Sequence, residues 1–371
     1  MHHHLTETAG APGATLELAR QFRRLGHEAD LFSFDDLPAR LTEPVALALF
    51  PFYLQRHLRR SPPYDVVDAA VGDAWLTTLR RPGDRPGPLL VARSHGLEHG
   101  GHERTVERAH RTGEQLSWKY RLYRGGLHLR LVATALRRSD LALLLNQPDM
   151  DRAVGQLGVR PERAHLVHNG IRPGLLGLPF PPTPLEPGSP IGIAFVGSYI
   201  WRKGIEQAAA ALPAVLGRHP EVRVGFFGTG CSEDRVLADY DGALAARIDV
   251  VPRYEPEVLS QLLAAYQILL FPTLGEGFSL ALVEAMACGL APVTTDAPGP
   301  AEAVRPGIDG LIVPAGDAPA LAGALERLLA DRAELDSLRQ SAHARAQQYS
   351  WEVVAAEAMA LYDQCLRTRL T

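Results

Sequence analysis

The most constraining feature of the sequence is residues 275–289, where a glycine-rich turn leads into an apolar segment of helical length. The run before it, residues 268–271, is apolar and is followed by Pro272, which is typical of a buried strand that ends there. Ser279 suits the N-cap of a helix, and Gly289 suits the residue just beyond its end. A buried strand, a tight turn and a short helix in this order predict an α/β fold.

Two carboxylates, Glu276 and Glu284, give this stretch its chemistry. Glu284 is the one charged side chain between the two helix ends, and a carboxylate on an apolar helix costs free energy unless something satisfies it. Since Glu276 lies in the turn, we expect both carboxylates and the helix N-terminus to face one cleft. Free N–H groups at a helix N-terminus favour an anion such as phosphate, and carboxylates accept hydrogen bonds from the paired hydroxyls of a sugar or ribose. The stretch therefore predicts a nucleotide-sugar site.

The spacing of these glutamates, with seven residues between them, resembles the E-x7-E motif of retaining glycosyltransferases of family 4, which have the GT-B fold. The resemblance extends to neighbouring residues, namely Pro272, Gly277, Phe278, 282–287 and Gly289. It implies two Rossmann-like, doubly wound domains that face each other across a cleft, with Glu276 on the hydroxyls of the donor sugar and Glu284 on the ribose. The alternative is a buried helix whose Glu284 is paired with an arginine from elsewhere in the chain.

Composition places the chain among globular proteins of two domains. It has 371 residues, of which 46% are hydrophobic and 22% charged, with a net charge of −4 that argues against a nucleic-acid partner. The three cysteines are sparse and show no Cys-x-x-Cys pairing, which suits a reducing compartment. No apolar run is long enough to span a bilayer, and the first residues lack the core of a signal peptide, so we expect a cytoplasmic protein.

The first half of the chain is predicted to open with a βαβ unit. We expect a strand, a Gly/Pro loop, a helix from Thr15 and a second strand, with the strands at 1–8 and 29–34 and the loop at 9–14. The loop resembles the Gly-Gly-Ala turn of family 4, which lies against the donor phosphates and the acceptor. The resemblance implies a donor contact at Gly13, and a plain tight turn is the alternative.

A polar run follows the strand predicted at residues 89–92. Open α/β sheets place their ligands at the carboxyl ends of strands, and His95 resembles the family's strand-end histidine, which points at the donor sugar and the reaction centre. His99 and His102 are interpreted as loop residues. A zinc site made of these three histidines is the alternative, but it has no acidic or cysteine partner nearby.

Residues 103–138 are predicted to be helical and are rich in arginine, with Trp118, Tyr120 and Tyr123 interleaved. We expect Gly125-Gly126 to break this run. It is either a solvated helix face or a basic patch that makes weak peripheral contact with anionic lipid or an acidic acceptor.

The second half repeats the strand–loop–helix pattern, beginning with a strand at 191–196. The loop after it resembles the family segment that ends in Arg/Lys-Lys-Gly, whose lysine holds the leaving diphosphate, and this implies the same role for Lys203. Many members carry an arginine where this chain has Ser198, so Arg202 is expected to supply a second cation. The resemblance also places the nucleobase at Tyr254.

The resemblance thus implies two sets of site residues. Those implied to take part in transfer are His95, Arg202, Lys203 and Glu276. Those implied to contact the donor are Gly13, Gly197, Ser198, Tyr254, Gly277, Phe278, Ser279, Leu280 and Glu284.

Six prolines in residues 179–190 predict a stiff linker between the domains. We therefore predict an acceptor-side domain at 1–178, a nucleotide-sugar domain at 191–349 and a last helix at 350–371 that returns to the first domain. As the resemblance implies, the reaction is sugar transfer to an acceptor hydroxyl with retained configuration and without a metal or other cofactor. A GT-B nucleotide-sugar epimerase and a non-catalytic nucleotide-sugar-binding subunit are the alternatives.

Overall fold

The computed structural model describes residues 4–6, 10–79, 87–180 and 189–370. The chain divides into two compact units. Unit 1 comprises the described residues of Met1–Asn169 and Trp351–Thr371, and unit 2 comprises those of Gly170–Ser350. The last helix therefore belongs to the same unit as the first half of the chain, although about 180 residues of unit 2 separate them in sequence.

Unit 1 is a parallel four-stranded sheet in the order β1-β2-β3-β4, covered by helices. Its strands are β1 (Val66–Ala70), β2 (Leu89–Arg93), β3 (Leu141–Leu144) and β4 (Ala164–Leu166). Its helices are α1 (Gly10–Arg24), α2 (Glu43–Arg60), α3 (Trp75–Leu79), α4 (Glu98–Thr112), α5 (Leu129–Arg138), α6 (Gln147–Gly155) and α15 (Trp351–Leu370), with a π-helical segment at Tyr120–His128.

The central strands of unit 1 are apolar on both sides because helices cover both faces of the sheet. Leu89 and Val91 of β2 face one way and pack in a cluster with residues of α1 and α15. Ala92 of β2 and Leu144 of β3 face the other way and pack with residues of α5 and α6. All residues of β2 and β3 are buried, so their continuous apolar runs are explained by this two-sided burial.

Helix α15 is attached to the sheet by a buried polar network as well as by apolar packing. Arg93, at the end of β2, donates to Asp68 Oδ2 of β1 at 2.8 Å and to the Tyr362 hydroxyl at 2.9 Å, and that hydroxyl donates to the same carboxylate oxygen at 2.5 Å. The charge of Asp68 raises the pKa of the Arg93 guanidinium above its usual value despite its burial. Each polar group of the network is therefore satisfied by the other two.

We expect Tyr362→Phe to destabilise the protein by about 1–3 kcal/mol, because the buried Arg93 and the partly buried Asp68 would each have one partner fewer. The measurement is Tm by differential scanning calorimetry. Tyr64→Phe is the matched control, since the Tyr64 hydroxyl donates to Asp30 at an exposed site, and its loss should cost much less. An equal fall in Tm for both variants would contradict this account of the network.

The predicted opening βαβ unit is wrong within the described residues. Residues 1–3 and 7–9 lie outside them, and residues 4–6 are not a strand. The segment predicted as a second strand has no strand pairing, because Phe32 packs instead against Phe50 and His57 of α2. The predicted loop is wrong as well, since α1 begins at Gly10 and its first turn contains Gly13.

The long helix predicted at 103–138 is divided, and the break is not at the predicted place. Helix α4 ends at Thr112 and is followed by Gly113, whose φ of 71° gives a left-handed cap. Gly125 and Gly126 instead lie inside the π-helical segment, where a Cβ on Gly126 would come within 2.9 Å of the Arg121 carbonyl oxygen. The glycine pair therefore permits a widened helical turn and does not end the helix.

Unit 2 is a parallel six-stranded sheet in the order β10-β9-β8-β5-β6-β7. Its strands are β5 (Gly192–Val196), β6 (Arg223–Phe227), β7 (Ile248–Val251), β8 (Ile268–Phe271), β9 (Ala291–Thr295) and β10 (Leu311–Val313). Its helices are α7 (Ile205–Arg218), α8 (Glu233–Leu237), α9 (Gly242–Ala245), α10 (Leu259–Leu263), α11 (Leu280–Ala287), α12 (Pro300–Ala303), α13 (Ala318–Ala330) and α14 (Arg332–Ala346).

The strand order of unit 2 reverses between β5 and β8. The chain adds β6 and β7 on one side of β5 and then continues with β8, β9 and β10 on the other side. In open parallel sheets, ligands bind outside the carboxyl ends of the strands at such a reversal. The loops after β5 and β8 are therefore the expected place for a site.

The change of unit falls between residues 169 and 170, earlier than the predicted linker at 179–190. Residues 181–188 of that linker lie outside the described residues. The segment before it belongs to unit 2, because Ile171 pairs with Ser350 and His343 hydrogen-bonds to the Leu178 carbonyl oxygen. None of the helices that the structure describes is long and apolar enough to cross a membrane.

Candidate functional site

The loop after β5 is held close to the end of β8 by a glycine. Gly204 has a φ of +77° and lies so near the neighbouring chain that a Cβ on it would be 1.9 Å from the Pro272 carbonyl oxygen. Two further contacts join the same loops, since Leu274 N–H donates to the Arg202 carbonyl oxygen at 2.9 Å and the Thr273 hydroxyl oxygen lies 3.2 Å from the same carbonyl oxygen. The two loops at the strand reversal therefore form one structure.

This arrangement brings together Lys203 and Glu276, which were predicted from separate parts of the sequence. Lys203 Nζ lies 2.8 Å from Glu276 Oε1, and both side chains are largely buried, 15% and 14% exposed. The Thr273 hydroxyl donates to the same oxygen at 3.0 Å. Glu276 Oε2 receives no hydrogen bond that the structure gives from the described residues, so one carboxylate oxygen can accept from a ligand.

Gly299, in the turn after β9, fixes the backbone of Glu276. Glu276 N–H donates to the Pro298 carbonyl oxygen at 2.9 Å, and a Cβ on Gly299 would come within 2.8 Å of the Cβ of Glu276. The turn packs directly behind the carboxylate, so the side chain of Glu276 extends away from it toward Lys203.

The start of α11 has an unusual residue in place of an ordinary cap. Ser279 has a φ of 69°, the only positive φ at a non-glycine residue among the described residues. The predicted N-cap role of Ser279 is wrong, because its hydroxyl does not cap the helix. This hydroxyl has no hydrogen-bond partner among the described residues, although Ser279 is only 6% exposed. Backbone strain and an unpaired buried hydroxyl at a helix N-terminus are typical of a binding site.

The residues around Ser279 differ in what they can offer a ligand. Phe278 is 2% exposed and packs edge-to-face against Tyr349, with ring centres 5.1 Å apart, so its side chain belongs to the core. Gly277 and Leu280 are half-buried on either side. Since the first N–H groups of a helix have no partner within it, the backbone is the part of this segment that is able to bind an anion.

Glu284 is paired with Arg172. This is the arginine partner that the alternative in the sequence analysis predicted. Arg172 Nη1 lies 3.3 Å from Glu284 Oε2, and the two side chains are 32% and 7% exposed. Burial raises the pKa of the Glu284 carboxyl, and the charge of Arg172 together with a hydrogen bond from its backbone opposes that rise. The contact is an ion pair without hydrogen-bond geometry, because Arg172 Nη1 has no hydrogen-bond partner among the described residues.

Tyr254 lies close enough to Glu284 and Arg172 for their charges to affect its pKa. Burial, followed by the charge of Glu284, raises the pKa of Tyr254 to about 12, and the same two causes raise the pKa of Cys288 to about 12. The ring of Tyr254 packs on Gly228, where a Cβ would come within 3.1 Å of it. Tyr254 is therefore a neutral, half-buried ring beside an acidic group.

We expect Arg172→Met to lower stability in a pH-dependent way. Because the pKa of Glu284 lies above its unfolded value of about 4.3, folding is penalised when the carboxyl ionises, and that penalty is absent below the unfolded pKa. Loss of the Arg172 charge raises the pKa of Glu284 further. The free energy of unfolding should therefore fall by about 1–3 kcal/mol at pH 8 and by less at pH 5. The measurement is Tm at both pH values.

Arg202→Met is the control for this prediction, since Arg202 is exposed and its side chain forms no ion pair with another described residue. Its Tm should stay close to that of the wild type at both pH values. An equal fall for Arg172→Met at pH 5 and pH 8 would contradict the role given to its charge.

The remaining predicted residues lie at different places. Gly197, with a φ of +138°, lies against the Lys203 side chain, and Ser198 is exposed beside it. His95 lies in unit 1, two residues beyond the end of β2, in a turn held by a hydrogen bond from Leu97 N–H to Asp149. Gly13, also in unit 1, lies in the first turn of α1 and not in the predicted loop.

Sequence analysis did not predict three residues of this site. Their roles depend on contacts that form only in the folded chain. Arg172 contacts Glu284, whereas Thr273 and Gly299 contact Glu276. Within the described ranges, no group of three or more His, Cys, Asp or Glu side chains could hold a metal ion, and this includes the histidines at 95, 99 and 102.

Family models match both parts of the chain. Residues 9–175 match the model described as Glycosyltransferase Family 4, and residues 190–331 match that described as Glycosyl transferases group 1. The D-inositol 3-phosphate glycosyltransferase 1 of Catenulispora acidiphila is 28% identical over 392 aligned residues, covering 95% of this chain and 90% of that protein. The phosphatidyl-myo-inositol mannosyltransferase of Mycolicibacterium smegmatis is 33% identical over 177 residues, covering 46% of this chain and 44% of that protein.

Solved structures show the same fold. The sucrose-phosphate synthase from Thermosynechococcus elongatus matches with a TM-score of 0.74 and 20% identity, covering 97% of this chain and 94% of that one. WaaG, a glycosyltransferase involved in lipopolysaccharide biosynthesis, matches with a TM-score of 0.71 and 18% identity, covering 98% of both chains. The predicted α/β architecture of two Rossmann-like domains is confirmed.

Proposed function

The chain belongs to the glycosyltransferases of the GT-B fold, with a family 4 domain followed by a group 1 domain, and from this premise we propose the reaction that it catalyses. The protein transfers a sugar from a nucleotide diphosphate sugar to an acceptor hydroxyl, with retention of configuration at the transferred carbon. The observation that supports this most is the Lys203–Glu276 pair beside the open start of α11, at the strand reversal of unit 2.

The charges of this site fit a diphosphate leaving group. A diphosphate needs positive charge or hydrogen-bond donors as the bond to the sugar breaks. Lys203 supplies an ammonium, Ser279 and Leu280 supply the helix N-terminus, and the exposed Arg202 adds a second cation. These groups carry the charge in our proposal without a metal ion.

The carboxylates hold the hydroxyls of the donor. Glu276 Oε2 accepts from the donor sugar, while Oε1 stays with Lys203 and Thr273. Glu284 accepts from the ribose, and the base lies near Tyr254. The Arg172 contact is compatible with this role. It is a partly exposed ion pair at 3.3 Å without hydrogen-bond geometry, so ribose hydroxyls can donate to Glu284 beside Arg172 or in its place.

The transfer step then follows from the family resemblance. The acceptor hydroxyl attacks on the face that the diphosphate leaves, the leaving phosphate oxygen takes the acceptor proton, and the new glycosidic bond keeps the original configuration. His95 orients the donor sugar and stabilises the positive charge that develops on it. Glu276 and Glu284 are binding groups in this scheme, unlike the acid and nucleophile of a retaining hydrolase.

The first experiment is a thermal-shift screen of the purified protein with UDP-, GDP-, dTDP- and ADP-sugars. One of these should raise Tm, and Glu284→Gln should weaken that donor by about tenfold to a hundredfold with a smaller effect on kcat. If Glu284 serves only to pair with Arg172, the variant will have unchanged donor affinity, whatever its Tm. That result would remove Glu284 from the donor site.

Acceptor-dependent release of nucleoside diphosphate separates the proposed reaction from the alternatives. An epimerase would convert the donor without an acceptor, and a binding subunit would release no diphosphate. The names of the two similar proteins above contain inositol 3-phosphate and phosphatidyl-myo-inositol, so these are the first acceptors to test. We place the reaction in the cytoplasm, where nucleotide sugars would be available to it.

A further inference from the structure

Arg172 carries a hydrogen-bond donor that its ion pair does not satisfy. Its side chain is 32% exposed, but Nη1 is buried and donates to no acceptor among the described residues. This atom lies 3.3 Å from Glu284 Oε2 without hydrogen-bond geometry. A buried N–H group without an acceptor costs free energy, so a ligand that supplies an acceptor at this place is favoured.

The backbone around Arg172 is held from both sides. Ile171 is fully buried, and its N–H donates to the Tyr349 carbonyl oxygen at 2.8 Å. Leu175 N–H donates to the Arg172 carbonyl oxygen at 2.9 Å, and the Leu175 carbonyl oxygen accepts from Gln347 Nε2 at 3.2 Å. The guanidinium therefore extends from a fixed backbone, which reduces the entropy that it loses when it binds a ligand.

Glu284 places an acceptor beside this donor, and Arg172 is the cation that acts on it. The strands packed against α11, namely β5, β8 and β9, contain no charged residue. On α14, which also packs against α11, Arg339 donates to the Gly289 carbonyl oxygen and to Asp336. The charge that acts on the Glu284 carboxylate is therefore that of Arg172.

A hydroxyl group suits this donor and acceptor better than an ion does. A hydroxyl accepts one hydrogen bond and donates another, so one hydroxyl beside the pair can accept from Arg172 Nη1 and donate to Glu284. A ligand anion would be repelled by the carboxylate, and a ligand cation by the guanidinium. Since the Arg172 side chain is partly exposed, it can shift to admit the hydroxyl.

The pair lies where the proposed donor would place its ribose. Burial is the main cause of the raised pKa of Tyr254, and the charges of Glu284 and Arg172 also act on it, so the ring is near both. In the proposed function the base lies near Tyr254, and the sugar attached to that base then lies beside Glu284 and Arg172. Ribose presents two adjacent hydroxyls there.

We propose that Arg172 determines the specificity of the donor site for the sugar of the nucleotide. Its Nη1 donates to one ribose hydroxyl, which in turn donates to Glu284, so the site selects ribonucleotides over nucleotides that lack this hydroxyl. A site that hydrogen-bonds a substrate hydroxyl rejects the analogue without it, because the polar groups of the site are left unpaired. This inference rests on the proposed function, since it requires the ribose at Glu284.

The test is isothermal titration calorimetry of the full chain with UDP, GDP and ADP, and with the 2′-deoxy and 3′-deoxy forms of the one that binds. The wild type should bind one of the two deoxy forms about tenfold to a hundredfold more weakly than the parent nucleotide. In Arg172→Met that ratio should be about tenfold smaller, because the hydrogen bond from the guanidinium is already absent. The other deoxy form should show no such dependence on Arg172.

Arg223→Met is the matched control. Arg223, at the start of β6, also pairs with a carboxylate of unit 2, since its Nη2 lies 3.0 Å from Asp249 Oδ1. That pair lies at the amino ends of the strands, so its loss should leave the ratio unchanged.

Arg172→Lys is the second variant, in case Arg172→Met does not fold. Lysine keeps a positive charge near Glu284 without the planar guanidinium, so its Tm should stay near that of the wild type while the ratio falls as in Arg172→Met. Circular dichroism and Tm verify that each variant is folded.

Three results would contradict this role of Arg172 and leave the proposed function in place. The first is a wild type that binds both deoxy forms as well as the parent, or prefers dTDP to all three ribonucleotides. The second is an equal loss of affinity for all three sugar forms in Arg172→Met, and the third is a wild-type ratio in Arg172→Lys. Binding of none of these nucleotides to the wild type, dTDP included, would instead contradict the proposed donor site and this inference together.

Discussion

Lys203→Met should lower kcat for sugar transfer by about 10²–10³-fold, with a much smaller change in donor affinity. Lys203 is the cation placed beside Glu276 at the strand reversal, and a group that stabilises charge on the leaving diphosphate acts mainly in the transition state. Methionine keeps an unbranched apolar chain near the Phe271 ring, which lies 5.4 Å from Lys203 Nζ. The measurement is steady-state kinetics with the donor that the thermal-shift screen identifies.

Arg202→Met is the comparison for this effect. Arg202 neighbours Lys203 but is exposed, and within the described part of the chain its side chain forms no ion pair, so its removal should lower kcat by less than about tenfold. A Tm measurement is needed for Lys203→Met, because Glu276 would lose one of its two partners. If Lys203→Met is folded and keeps the wild-type kcat, the diphosphate does not depend on Lys203 and the proposed mechanism is wrong.

Gly204→Ala should prevent unit 2 from adopting its native structure around the site, at a cost above about 4 kcal/mol. The added methyl group would lie 1.9 Å from the Pro272 carbonyl oxygen, and alanine also disfavours the φ of +77° at this position. The loops after β5 and β8 would have to separate, and with them Lys203 and Glu276. Soluble yield, Tm and donor-induced stabilisation would all report the change.

Gly217→Ala provides the control in the same unit. Gly217 lies in α7, its φ is ordinary and nothing lies within 4 Å of an added Cβ. Alanine favours a helix over glycine by up to about 1 kcal/mol, so Tm should stay the same or rise. A Gly204→Ala protein with wild-type Tm and activity would show that the two loops are not held together as described.

Local sequence patterns predicted much of unit 2 correctly. The strands predicted at 191–196 and 268–271 correspond to β5 and β8, because a parallel strand with helices on both faces is buried at every position and therefore apolar. Helix α11 ends at Ala287, and Gly289 follows two residues later with a positive φ of 84°, as the prediction of a glycine just beyond the helix end required. The first 34 residues were predicted poorly, since glycine and proline at 9–14 indicate a loop in isolation, whereas the structure begins α1 there.

The sequence alone determined the family, the succession of strands and helices in unit 2, and the two glutamates eight positions apart, because spacing and periodicity are properties of the chain itself. Only the tertiary structure decided which charges meet. It placed Lys203 on Glu276 and Arg172 on Glu284, pairs separated by 73 and 112 positions in the sequence. Such partners are brought together by the strand order of the sheet and by close approaches such as that at Gly204, and neither leaves a pattern in the neighbouring residues.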